Sequence, residues 1–97
     1  MARASYETAI HYSPALYQTY ISLTQIDVME KRWDWALEHA KKAVQLEPNN
    51  PQPAYVLAAV YAQMGKKGEA ESVLKMILAS FPNYKLAKDL WLQLDKI

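Results

Sequence analysis

The chain contains no cysteine, which removes disulfides and thiolate metal sites from consideration and leaves the redox compartment undetermined. Glycine is almost as scarce, with two residues in 97, and no glycine-rich phosphate loop is present. An excess of one charge is lacking as well. Eleven lysines and arginines against ten aspartates and glutamates leave a formal net charge of +1. The long basic stripe that a phosphate backbone requires is therefore missing, and nucleic acid is not an expected partner. No apolar run reaches the roughly 20 residues that cross a bilayer, and "MARASYETAIHYS" has no continuous apolar stretch of the signal-peptide kind. Membrane insertion by this segment is not expected. The sequence names no compartment; a soluble, cytoplasmic setting is slightly favoured.

What is present is enough apolar surface to fold. Hydrophobic residues make up 52% and charged residues 22%, the profile of an ordinary globular chain. At this length one domain is expected, burying only about two thirds of the surface its unfolded chain exposes. Deep enclosed pockets are not.

The prolines carry the organisation. Pro14, Pro48 and Pro82 are each separated by 34 residues, within "HYSPALYQTYIS", "QLEPNNPQPAYV" and "SFPNYKLAKDLW". A fixed period of that size signals stacked supersecondary units. Between the prolines the apolar residues recur at helical spacing. "PAYVLAAVYAQMG" places Tyr55, Val56, Leu57, Val60, Tyr61 and Met64 at threes and fours. Asn50 suits its N-cap, Pro51 and Pro53 its first turn, and Gly65 a left-handed end. After the turn "GKKG", a second helix carries Ala70, Val73, Leu74, Ile77, Leu78 and Phe81 on one stripe. The preceding period reads the same way. "ALYQTYISLTQIDVM" is one helix and "DWALEHAKKAVQLE" its partner, with Asp34 as cap and Trp35, Ala36, Ala40, Ala43, Val44 and Leu46 packing. Alanines facing bulky side chains let two helices approach closely.

These residues resemble the tetratricopeptide repeat family, whose 34-residue pattern runs W-x2-L-G-x2-Y, A-x3-F, P. The second period offers Ala54, Leu57, Ala58, Tyr61, Ala70, Leu74, Ile77 and Pro82 at the matching places, with Gly65 in the turn. The first offers Tyr20, Leu23, Thr24, Asp27, Ala36, Ala40, Ala43 and Pro48. It departs twice: Asp27 stands where the family keeps an aromatic, and Lys31 where glycine turns the chain. The resemblance implies an all-α fold, an antiparallel helix-pair solenoid coiled as a right-handed superhelical array. Residues 1–97 divide into a second helix of an incomplete repeat (1–14), two repeats (15–48 and 49–82) and a terminal helix (83–97), with Asn83 as its cap.

The resemblance also implies a non-enzymatic module that binds a protein or peptide in the concave groove lined by the first helix of each pair. In this sequence that face comprises Gln18, Ile21, Ser22, Gln25 and Met29, then Tyr55, Val56, Ala59 and Gln63, then Leu86, Asp89, Leu90 and Gln93. The stripe is amide-rich and apolar. It lacks the lysines, arginines and asparagines with which family members clamp a C-terminal carboxylate, so an extended or helical peptide held by amides and apolar contacts is expected instead. Ile21, Val56 and Leu90 serve equally well as packing residues. The alternative is self-assembly, in which the two incomplete ends pair between chains as a homo-oligomer through Ala2, Tyr6, Ala9, Trp91, Leu94 and Ile97.

Chemistry has little to stand on. His11 and His39 lie in separate helical pairs with no ligand or base at a useful spacing, and no nucleophile-elbow or zinc-protease motif occurs. No catalytic residue, cofactor or metal is expected. Asp27 is the one acid on a packed face, where it reaches a buried tyrosine or a helix end. Trp33, Trp35 and Trp91 read as interhelical anchors, with Trp33 the most exposed.

Overall fold

A computed structural model of the protein describes residues 16–95. They form five α-helices: α1 (Tyr17–Met29), α2 (Trp33–Leu46), α3 (Pro51–Gln63), α4 (Lys67–Ser80) and α5 (Lys85–Asp95). No strand occurs among the described residues. The segment with Ala2, Tyr6, Ala9, His11 and Pro14 lies outside them, as does Ile97. The helices form antiparallel pairs, α1 with α2 and α3 with α4, and α5 packs on the second pair.

The period is written into the backbone. After α1, the amide of Arg32 donates to the carbonyl of Asp27 at 2.8 Å and that of Lys31 to Val28 at 3.0 Å. One period later Lys66 donates to Tyr61 at 2.9 Å and Gly65 to Ala62 at 3.1 Å. Both ends are Schellman motifs, which satisfy the last helical carbonyls through a left-handed residue. That residue is Lys31 (φ 59°) in the first pair and Gly65 (φ 78°) in the second. The turns between pairs match too: Glu47 donates to Ala43 and Asn50 to Glu47, as Phe81 does to Ile77 and Tyr84 to Phe81.

The asparagine before α3 starts it as expected, its side-chain oxygen accepting from the Gln52 amide at 3.0 Å with proline in the first turn. Other boundaries differ. Asp34 is not the cap of α2; the helix starts at Trp33, and Asp34 sits in the first turn, where a negative charge suits the amide end of the dipole. "GKKG" is not all turn, because α4 begins at Lys67. Nor does Asn83 cap α5, which starts at Lys85 with the Lys88 amide bonded to the Tyr84 carbonyl.

Packing explains the composition of each helix. Ala36, Ala40, Ala43, Ala58, Ala70 and Ala87 have no exposed surface, so the helix axes close in wherever these small residues meet. One core gathers Tyr20, Ile21, Leu23 and Ala43, with Val56 of α3 packed against it. The other joins Ala58, Leu74, Ile77, Leu90 and Leu94. Between them α3 touches all four other helices, which is why it is apolar over most of its circumference.

The tryptophans exchange roles. Trp35 is the exposed one at 46%, and Trp33 is half-buried. The inward stripe of α2 runs through Ala36, Ala40 and Ala43, and Trp35 sits about 100° around the helix from Ala36. Phe81 is also more open than its place on the α4 stripe suggests, since it lies one residue beyond the helix end.

Candidate functional site

Two surfaces gather side chains of functional character. The first lies between α1 and α3, the leading helices of the two pairs. Gln25 and Met29 from α1 and Tyr55, Val56, Ala59 and Gln63 from α3 line one groove of about 420 Å3. Thr24, Val28 and Val60 complete it. None of its residues is charged. Met29 is 81% exposed, and Gln25 and Gln63 are exposed, so a thioether and two amides stand at a trough otherwise lined by aliphatic side chains, Thr24 and Tyr55. Tyr55 is steadied by an edge-on contact with Tyr84, ring centroids 6.3 Å apart. Burial, and secondarily the nearby Tyr55 phenol, push the Tyr84 phenol above its ordinary 10.0.

The remaining residues of the expected face are distributed differently. Gln18 is exposed and Ser22 half-buried on α1, outside the lining of this groove. Leu86, Asp89 and Gln93 are exposed on α5. Ile21 and Leu90 are buried in the two cores. Leu94 is 1% exposed and Trp91 packs beside it, so both residues are engaged inside the chain. The α5 positions 87, 90, 91 and 94 face inward because small and large apolar residues alternate there at helical spacing.

The second surface centres on a pair that the sequence did not connect. Asp27 of α1 is completely buried, and its Oδ2 lies 2.7 Å from Nδ1 of His39 in α2. The rings of Tyr20 and Trp35 flank the imidazole, with centroids 6.2 and 5.9 Å away. With Asp27 ionised, the imidazole N–H donates and the carboxylate accepts. The spacing of 12 residues hid the pair, because contact requires folding back through the Lys31 turn. One signal did point to it. Asp27 and His39 occupy the places that Tyr61 and Val73 hold one period later, so two polar residues stand where the other pair has an aromatic and an aliphatic one.

Among the described residues no group of three or more His, Cys, Asp or Glu side chains converges as a metal site. No helix among them is long and apolar enough to cross a membrane.

The sequence comparisons agree with this architecture. The family model described as tetratricopeptide repeat matches residues 27–93, and the chain belongs to that family, whose repeats mediate protein–protein interaction and are typically non-catalytic. The chain is similar to "Sperm-associated antigen 1" of Rattus norvegicus, 35% identical over 69 residues, and to the Mus musculus protein of the same name, 33% identical over 69 residues. Each match covers 71% of this chain and 8% of the relative, so the shared part is a small repeat segment of a far longer protein.

Proposed function

We propose that the α1–α3 groove binds an uncharged segment of a protein partner, extended or helical. The observation that supports this most directly is the union of Gln25, Met29, Tyr55, Val56, Ala59 and Gln63 in one trough without a charged side chain. A trough of this kind offers amides to a peptide backbone and an adaptable thioether and aromatic ring to apolar side chains. It offers no cationic side chain to a terminal carboxylate. Self-pairing through the chain ends draws no support from α5, whose Trp91 and Leu94 are packed against α3 and α4.

A pair of synthetic peptides of equal length tests the reading by calorimetry. One carries alternating apolar and amide residues with a blocked C-terminus; the other ends in a run of acids with a free carboxylate. The first is expected to bind, and Gln25→Glu and Met29→Ala to weaken it without changing thermal stability. Preferential binding of the acidic peptide, or indifference to both substitutions, overturns the proposal.

A further inference from the structure

Beside the Asp27–His39 pair opens a cleft of about 510 Å3 lined by Tyr20, Glu38, His39, Lys41, Lys42 and Gln45. One period later a smaller cleft of about 240 Å3, bordered also by Val44 and Pro48, takes in Ala54, Val73 and Met76, the counterparts of Tyr20, His39 and Lys42. No charged residue lines the second cleft. At the places of Tyr20, His39 and Lys42 the second pair thus carries apolar residues, while Lys75 keeps the charge of Lys41 and Ser72 stands in place of Glu38. A fully buried carboxylate in the first pair is costly unless its partner is well placed. Packing alone does not call for it.

The pair does orient the imidazole. With Nδ1 held by Asp27, Nε2 is the nitrogen the ring offers to the cleft it lines. With the Nδ1 proton directed to Asp27, Nε2 donates to an oxyanion when the ring carries its second proton, and accepts only from a protonated oxygen when it does not. Among the described residues, Lys41 and Lys42 bring two ammonium groups to this rim and Glu38 one carboxylate; Gln45 adds an amide donor and Tyr20 a phenol. We infer that this cleft is a subsite for a phosphoryl group, held by Lys41, Lys42 and Gln45 and by the imidazole that Asp27 orients. It lies apart from the α1–α3 groove and shares no lining residue with it, so the two readings stand or fall separately.

The test is an NMR titration of the 97-residue chain at ionic strength fixed with chloride, observing the His39 ring and the Lys42 amide. One arm adds inorganic phosphate, and the other a short peptide containing phosphoserine. Saturable shifts are expected; saturation with phosphate identifies a site for the free oxyanion, and saturation with the peptide alone a site for a phosphorylated side chain. Lys42→Met, which installs the residue of the second cleft, is expected to keep the melting temperature and weaken binding about tenfold. Absence of saturation in both arms overturns the inference, as does a Lys42→Met protein that binds as tightly as its parent.

Discussion

Lys31 and Gly65 stand 34 residues apart and adopt the same left-handed backbone conformation, φ 59° and 78°, at the ends of equivalent helices. A side chain in that region meets its own carbonyl, at a cost of roughly 1–2 kcal/mol that glycine avoids. Nothing lies within 4 Å of a Cβ built at Gly65, so the difference between the two turns is one of backbone strain and not of crowding. Lys31→Gly is expected to raise stability by about 0.5–1 kcal/mol, part of the strain relief being offset by the freer unfolded chain. Gly65→Ala is expected to lower it by about 1 kcal/mol. Urea denaturation midpoints at constant slope measure both; equal and opposite effects are not required, but a destabilising Lys31→Gly contradicts the strain argument.

The Asp27–His39 contact predicts a strong interaction between the two positions. His39→Ala removes one hydrogen-bond partner from a carboxylate that has no exposed surface, and a loss of about 1–3 kcal/mol is expected. Replacing both residues by the pair found one period later, Asp27→Tyr with His39→Val, is expected to recover most of it. A double-mutant cycle reads the coupling; simple additivity shows that the two side chains do not depend on each other.

Leu94 ties the last helix to the second core. Leu94→Ala is expected to cost about 2 kcal/mol, the lower end for a buried leucine because a terminal helix can relax around the vacancy. The exposed Leu92, 59% accessible and two residues away, serves as the control, and Leu92→Ala is expected to change stability by less than about 0.5 kcal/mol. Chemical denaturation followed by tryptophan fluorescence distinguishes them.

Alkaline pH tests the Tyr55–Tyr84 contact. Because burial raises the Tyr84 phenol in the folded chain above its ordinary 10.0, the neutral form is the one the fold favours. Its contribution is complete below the ordinary value and is lost as pH rises through the raised one. Stability measured on either side of this window is expected to fall, and to fall less in Tyr84→Phe. An identical alkaline decline in the two proteins removes Tyr84 as its source.

Much of the fold was legible because its determinants are local. The Asn50 cap and the alternation of alanine with large apolar residues each act within a turn or two and give the helices, and the 34-residue recurrence of proline gives the period. The groove was partly legible for the same reason: Gln25 and Met29 are one helical turn apart, and so are Tyr55, Ala59 and Gln63. What escaped depends on contacts between helices. The inward positions of Ile21 and Leu90 are decided by which neighbours lie against α1 and α5. Trp35 turned outward because a one-residue shift in the start of α2 accompanies a stripe centred on alanines. The Asp27–His39 contact crosses a turn whose sharpness rests on a lysine in a glycine conformation, which no residue preference would suggest.

The position of α3, in touch with every other described helix, has a thermodynamic consequence. Arrays whose units meet only adjacent units can fray from one end in steps. Here the central helix supplies a wall to both cores, so melting it exposes Val56 to solvent on one side and Ala58 on the other at once. The two helix pairs should lose structure together, in a single transition, with calorimetric and van't Hoff enthalpies in agreement.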